Sequence, residues 1–289
     1  MSRAVTQIAT LVLARADGTA LARGAEALGL QGTRILSQGR AIEGRSEAVG
    51  SADARRILDA AGVVGDVCVQ PEAGRRKTAL VCDMDSTLIG QECIDELADF
   101  AGVKDRVSAI TERAMRGEIG FEGALLERVA LLRGLPLSVL EACFRERITL
   151  NPGARALART MAAHGAKTLI VSGGFTYFSE RVARACGFAG HQANVLLHAD
   201  GRLSGDVARP ILGRDAKREA LLALTNGEPD TALCIGDGAN DLAMIEAAGL
   251  GIAFYAKPAV TAASHSAIAS TDLRSALYFQ GYADDDITE

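Results

Sequence analysis

The chain has 289 residues, of which 48% are hydrophobic and 23% charged, and its formal net charge at pH 7 is -5. A chain of this length and composition can bury a large core, so intrinsic disorder is excluded as its main state. The acidic balance argues against a nucleic-acid-binding surface, and no apolar stretch is long enough to predict a membrane span. Six cysteines without CxxC spacing are typical of reduced, structural thiols and favour a cytoplasmic protein.

The first 70 residues predict a small α+β unit. Strands are expected at residues 7–13, 33–37, 41–49 and 63–69, and helices at 19–28 and 52–61. This βαββαβ order predicts a four-stranded antiparallel sheet with two helices on one face. The polar segment 70–76 contains both proline and glycine and is the predicted linker. The predicted domains are therefore residues 1–74 and 77–289.

From residue 77 onward, strands alternate with helices, which is typical of a doubly wound parallel α/β sheet. Core strands are expected at residues 78–83, 167–172, 231–237 and 249–254, and helices at 154–164, 177–186, 215–224 and 240–247. Asp200-Gly201 separates two apolar runs and predicts a hairpin within residues 193–207.

A long insertion interrupts this alternation directly after the first core strand. Residues 94–150 show helical periodicity without a convincing strand. Because the insertion leaves the sheet at the carboxyl end of a strand, it is expected to cover the crevice there. We predict a helical cap over about residues 93–150.

The first core strand ends in an unusual group of polar side chains. The apolar run 79–82 is followed by Asp83 and Asp85, with Ser86 and Thr87 directly behind them. Ligands of parallel sheets bind beyond the carboxyl ends of the strands, so two acids there indicate a cation site, a nucleophile or both. The alternative is a solvated turn, because these residue types also favour turns.

Two other predicted strands also end in polar groups. Ser172 is followed by Gly173 and Gly174, which would let backbone amides approach an anion, although this sequence also forms ordinary turns. A second strand ends in the segment 236–241, which contains Asp237, Asn240 and Asp241. A helix cap would explain one of these residues, but not all three together.

The combined set of residues is suited to phosphoryl transfer, which requires alignment and neutralisation of charge. Lys217 lies in the first turn of a predicted helix, where a lysine is unfavourable unless an anion faces it. Mg²⁺ prefers oxygen ligands, which Asp83, the main-chain carbonyl of Asp85 and Asp237 could supply. The sequence lacks the GxxxxGK[ST] nucleotide-binding loop, and its four histidines are too scattered to predict a zinc site.

The motifs DMDST (83–87), VSGG (171–174), Lys217 and GDGAND (236–241) follow each other in an order that resembles the haloacid dehalogenase superfamily of aspartate-nucleophile phosphatases. ECIDELADFAG, GEIGFEGALLERVALLRGL and IGDGANDLAMIEAAGLGIAFYAKP are more specifically similar to its phosphoserine phosphatase branch. The resemblance covers about residues 77–277. The N-terminal region resembles the ACT-like domain of longer members in topology alone.

This resemblance implies a role for each matching residue. Asp83 would be the nucleophile, and Asp85 the general acid and base. The resemblance also implies a phosphate site formed by Ser172, Gly173, Gly174, Lys217 and Asn240. The implied Mg²⁺ ligands are Asp83, Asp85 and Asp237, supported by Asp241. In the implied pocket for O-phospho-L-serine, Glu92 binds the amino group and Arg128 the carboxylate, and Phe121 and Met115 line the pocket.

Two alternatives stay open at this point. The first is a related enzyme that acts on another small phosphomonoester or transfers the phosphate to an alcohol such as homoserine. The second is a regulatory amino-acid-binding protein with residues 1–70 as its sensor. Taken without the resemblance, the preferred interpretation of Glu92 is an acid at a helix start, and that of Arg128 is a surface residue. A homodimer is compatible with an ACT-like domain.

Overall fold

A computed structural model describes residues 7–116 and 118–289, with the backbone alone at Met115. The predicted contribution of the Met115 side chain to the pocket therefore lies outside the described residues. The first sheet and its helices comprise β1 (Gln7–Val12), α1 (Gly18–Ala27), β2 (Gln31–Ser37), β3 (Ala41–Arg45), α2 (Ser51–Ala60) and β4 (Asp66–Pro71).

This N-terminal unit has the predicted βαββαβ order. Its strands lie in the order β2-β3-β1-β4, and every neighbouring pair is antiparallel. Helix α1 begins where the Asp17 carboxylate accepts a hydrogen bond from the Ala20 N–H. Leu21 of α1 and Leu58 of α2 pack with Leu11 of β1, so both helices cover the same apolar core.

The opposite face of this sheet is docked on the rest of the chain. Asp66 is fully buried, and its carboxylate accepts hydrogen bonds from the N–H groups of Ala269, Ser270 and Thr271. The Gln70 side chain donates to the carbonyl of Phe279. The prediction that Gln70 and Pro71 belong to a linker is wrong, because both pair with β1 at the end of β4. Pro71 is tolerated there because β4 is an edge strand.

The remaining elements are, in chain order, β5 (Ala79–Cys82), α3 (Cys93–Phe100), α4 (Lys104–Met115), α5 (Phe121–Ala130), α6 (Ser138–Arg147), α7 (Ala154–Ala163), β6 (Lys167–Phe175), α8 (Thr176–Cys186), β7 (Gly190–Asn194), β8 (Leu196–Ala199), β9 (Arg202–Val207), α9 (Arg214–Leu224), β10 (Ala232–Gly236), α10 (Leu242–Ala247), β11 (Leu250–Phe254), α11 (Pro258–Ala263), β12 (Ser266–Ile268) and α12 (Ser275–Phe279). Short 3-10 turns lie at Pro229–Thr231 and Asp284–Asp286.

The predicted parallel α/β sheet is confirmed, with β5 among its inner strands. Six strands run in the order β12-β11-β10-β5-β6-β7, and all neighbours are parallel. Strand β6 is longer than predicted, because after a register shift Phe175 pairs with Asn194 of β7. The carboxyl ends of β5, β6 and β10 therefore meet at one edge, directly beneath the insertion.

The insertion forms the predicted helical cap, α3 to α6. Its two connections to the core run antiparallel, with Ile89 opposite Leu150. Between them Gln91 donates from its amide nitrogen to the Thr149 hydroxyl and accepts from the Thr149 N–H. This paired stretch ties the start and end of the cap to each other.

The predicted hairpin is β8 and β9, which form a separate two-stranded sheet. Asp200 and Gly201 have positive φ angles of 50° and 72°, as a tight hairpin turn of type I′ requires. The hairpin reaches the cap, because the Gly134 N–H donates to the carbonyl of Leu203 and the Leu203 N–H donates to that of Leu135.

All six cysteines lie in the described part of the chain, where each is buried and none forms a disulfide. Across residues 7–116 and 118–289, no helix combines the length and the apolar character needed to cross a membrane.

Candidate active site

Asp83 is the centre of the polar cluster at the end of β5. Its N–H donates to the carbonyl of Ile235 in β10, which fixes the backbone at the end of the strand. Its side chain is 6% exposed, and Oδ2 lies 2.8 Å from Nζ of Lys217. The loop then turns sharply, because Ser86 has a positive φ of 53°. The nucleophile predicted from the sequence is thus held beside a buried cation.

Lys217 lies in the first turn of α9 and is 1% exposed. Its ammonium also lies 2.6 Å from Oδ1 of Asp241. Although burial alone would lower the pKa of Lys217, the charges of Asp83 and Asp241 raise it above its usual value. The lysine therefore stays charged, which explains a cation at the otherwise unfavourable start of a helix.

The segment 172–174 lies near the end of β6, where the pairing with β7 shifts register between Val171 and Phe175, and it faces Asp85. Ser172 is fully buried, and its Oγ accepts a hydrogen bond from the Gly174 N–H. A Cβ at Gly174 would lie 2.5 Å from Oδ2 of Asp85, so any side chain at this position would displace the Asp85 carboxylate. The close approach lets backbone amides and the Asp85 carboxylate share one small space.

Asn194 is a residue of this site that the sequence analysis missed. Its Nδ2 donates to the carbonyl of Gly173 at 2.9 Å, and its Oδ1 accepts from the N–H of Leu212 at 2.8 Å. It therefore connects the 172–174 segment of β6 to the segment leading into α9. Its sequence context, GHQAN, has neither an apolar run nor a motif that could have indicated the role.

Asp85 and Glu92 are neighbouring acids on the cap side of the site. Asp85 Oδ1 accepts a hydrogen bond from the Cys93 N–H at the start of α3, and Glu92 Oε1 accepts one from the Ser86 hydroxyl. Burial, and then the nearby charge of Glu92, raise the pKa of Asp85 well above its usual value. Burial also raises the pKa of Glu92. A cationic group between them would relieve this electrostatic cost.

Arg128 projects from α5 into the same space. Its Nε donates to the carbonyl of Ala124, and its Nη1 lies 3.4 Å from the Thr111 hydroxyl. Burial lowers its pKa, while the charges of Asp95, Glu92 and Asp85 oppose that change. Within the described residues Arg128 forms no ion pair closer than 4.0 Å and its hydrogen bonds go to the Ala124 carbonyl and the Thr111 hydroxyl, so its guanidinium can accept an anionic ligand.

These groups surround one cavity of about 130 Å³ between the sheet edge and the cap. Ten of the predicted site residues line it: Asp83, Asp85, Glu92, Phe121, Arg128, Ser172, Gly173, Gly174, Asp237 and Asn240. Lys217 and Asp241 are outside this lining and contact Asp83 or each other from behind. Ile94, Leu125 and Phe175 also line the cavity and were not predicted as site residues.

Comparison with known proteins identifies the family. A sequence profile described as haloacid dehalogenase-like hydrolase matches residues 77–249. The chain belongs to the haloacid dehalogenase-like hydrolases. Phosphoserine phosphatase of Archaeoglobus fulgidus is 45% identical over 72% of this chain and 62% of its own length. The chain thus spans about three fifths of that relative.

Two further similarities cover more of the compared protein. Phosphoserine phosphatase of Idiomarina loihiensis is 48% identical over 67% of this chain and 89% of its own length. The crystal structure of a probable phosphoserine phosphatase from Vibrio cholerae, in unliganded form, is 31% identical and aligns with a TM-score of 0.78. That alignment covers 98% of this chain and 88% of the Vibrio chain, so it includes the N-terminal sheet.

The acids of this haloacid dehalogenase-like hydrolase also fit a metal ion. Carboxylate oxygens of Asp83, Asp237 and Asp241 lie within 4.8 Å of one another. Burial, followed by the charges of Asp83 and Asp241, raises the pKa of Asp237 to about 7. Such a cluster is typical of a site where a divalent cation neutralises the charge. Asp83 and Asp237 line the cavity, whereas Asp241 lies outside its lining and accepts from Lys217 and from the N–H groups of Asp237 and Gly238, which favours Asp83 and Asp237 as the ligands.

Proposed function

We propose that the protein is a Mg²⁺-dependent phosphatase that hydrolyses O-phospho-L-serine to L-serine and phosphate. One observation carries the proposal: a single small cavity is lined by two catalytic-type acids, the glycine-rich 172–174 segment and the Glu92 and Arg128 pair. The similarity to phosphoserine phosphatases supports the same substrate. A phosphate group alone would require only the two acids and the glycine-rich segment. The Glu92 and Arg128 pair is suited to an amino acid.

At the phosphate end, Asp83 attacks phosphorus and forms an aspartyl-phosphate while the serine oxygen leaves. Lys217, which contacts Asp83 at 2.8 Å, holds the carboxylate and neutralises charge on the phosphoryl oxygens. The Ser172 hydroxyl, whose oxygen accepts from the Gly174 N–H, and the backbone amide of Gly173 bind the same oxygens, with Asn240 beside them. These donors are fixed in advance, so little reorganisation is required in the transition state.

Asp85 moves the protons of both steps. In its protonated form it donates a proton to the departing serine oxygen, and as a carboxylate it then deprotonates the water that hydrolyses the aspartyl-phosphate. The Cys93 N–H fixes the orientation of this side chain. The close approach of Gly174 places Asp85 next to the 172–174 segment that binds the phosphate. The two acids of the DMDST motif therefore have different tasks.

At the other end of the cavity, Glu92 binds the amino group of the substrate and Arg128 its carboxylate. A guanidinium can bind a carboxylate through two parallel hydrogen bonds, which fixes orientation as well as charge. Phe121 covers the opening, with 38% of its surface exposed. It limits access of water to the cavity.

Mg²⁺ would be held by Asp83, Asp237 and the main-chain carbonyl of Asp85, and it would supply charge neutralisation to the phosphoryl group. Four further parts complete the proposal. The domain boundaries at residues 1–74 and 77–289 rest on the composition of the segment between them, and a cytoplasmic location rests on the six reduced cysteines. The ACT-like character of the first domain and a homodimer rest on the resemblance.

The test is steady-state turnover of phosphoserine, phosphothreonine and 4-nitrophenyl phosphate, with and without Mg²⁺. We expect Mg²⁺-dependent release of phosphate with phosphoserine preferred. Arg128→Ala should reduce phosphoserine turnover far more than that of the aryl phosphate, which has no carboxylate. Equal losses on both substrates would contradict the role of Arg128. Adding homoserine and measuring phosphohomoserine tests the transferase alternative.

A further inference from the structure

Helix α5 presents three side chains to the cavity along one face. Phe121, Leu125 and Arg128 all line it, and their spacing of four and three residues puts them on the same side of the helix. Phe121 lies at the phosphate end, because a Cβ at Gly173 would come within 3.2 Å of its ring. Arg128 lies about two turns further along, at the amino-acid end. Leu125 therefore faces the middle of the cavity.

Ile94 reaches the same middle section from α3. It follows Cys93, whose N–H binds Asp85, and lies two residues beyond Glu92. Ile94 and Leu125 are 8% and 2% exposed, so both are packed in the interior. In phosphoserine a single methylene group separates the phosphate oxygen from the α-carbon. With the phosphate at one end and the carboxylate at the other, this methylene would face the two apolar side chains.

We infer that Leu125 and Ile94 limit the size of the substituent on the carbon that carries the phosphate, and so select phosphoserine over phosphothreonine. The inference rests on the proposed function, because it assumes that orientation of the substrate. Phosphothreonine carries one additional methyl group on that carbon. A close-packed apolar wall accommodates an extra methyl group poorly, and one such group is worth about 10- to 200-fold in specificity.

The experiment compares kcat/KM for phosphoserine and phosphothreonine in the wild-type protein and in Leu125→Ala, Leu125→Val and Ile94→Val. We expect the phosphothreonine-to-phosphoserine ratio to rise by about 10- to 200-fold in Leu125→Ala and by smaller factors in the two valine variants. Leu126→Ala is the matched control. It removes the same atoms from the next residue of α5, which is outside the cavity lining, and should leave the ratio at the wild-type value.

Each outcome supports or overturns the inference. The valine variants remove less of the core and keep the test informative if Leu125→Ala fails to fold, as judged by circular dichroism. A folded variant that hydrolyses phosphoserine with an unchanged ratio overturns the inference and leaves the proposed function intact. A rise in the ratio equally large in Leu126→Ala also overturns it. Lack of phosphoserine turnover by the wild-type protein would overturn the proposed function itself.

Discussion

Replacing Lys217 by methionine should destabilise the protein strongly. The ammonium lies 2.8 Å from Asp83 and 2.6 Å from Asp241, and these two side chains are 6% and 0% exposed. Methionine has a similar length without the charge, so the change leaves two buried carboxylates facing each other unpaired. Loss of one partner from a buried ion pair costs about 3–5 kcal/mol. We expect a loss of that size in the free energy of unfolding.

Urea unfolding followed by circular dichroism measures this loss. The buffer contains a chelator, so that no divalent cation can replace the lost positive charge between the two carboxylates. Lys167→Met is the control, because Lys167 is exposed and its ammonium donates to the carbonyl of Leu224, without an ion pair among the described residues. It should stay within about 0.5 kcal/mol of wild type. Adding Asp241→Asn to Lys217→Met removes one of the opposed charges and should recover at least about 1 kcal/mol. If Lys217→Met alone lost less than about 1 kcal/mol, or the double variant recovered nothing, the electrostatic reasoning would be refuted.

Three further predictions concern the reaction. Asp83→Asn should lower phosphoserine turnover by about 10⁴-fold or more, since the nucleophile is lost; near-normal turnover would contradict the assignment. Gly174→Ala should lower kcat by about 10²-fold in a folded protein, because the new methyl group displaces Asp85. A stopped assay with phosphoserine measures kcat. An unchanged kcat would show that the 172–174 segment can shift to accommodate the methyl group without displacing Asp85. Dialysis against EDTA should abolish turnover and added Mg²⁺ should restore it; activity that survives exhaustive dialysis would exclude the metal requirement.

The sequence was most informative where chemistry and backbone pattern coincide. The acids after β5 stand out because a buried strand seldom ends in two carboxylates, and the structure brings them to the cavity. Apolar residues in the cavity wall could not be recognised, because Leu125 and Ile94 have the helical spacing of ordinary core residues. Asn194 could not be found either, since its role depends on Gly173 and Leu212, which lie 21 and 18 residues away in the sequence.

The N-terminal sheet shows the limit of reading boundaries from composition. Proline, glycine and charge between residues 70 and 76 suggested a free linker, but pairing with β1 depends on a partner more than 60 residues earlier. The local sequence does not predict a contact with a strand so far away in the chain. The order of strands and helices, by contrast, follows from local periodicity and was predicted.

The buried carboxylate of Asp66 has a consequence for how the chain unfolds. It accepts hydrogen bonds from successive amides at residues 269–271, and the neighbouring Leu273 N–H donates to the carbonyl of Pro152 at the base of the cap. Separating the N-terminal sheet would break the hydrogen bonds of Asp66 and expose to water the apolar side chains, such as Val12 and Cys68, that pack in the same core as Leu277. Two topologically independent sheets are thereby coupled into one cooperative unit, whose melting should be a single transition.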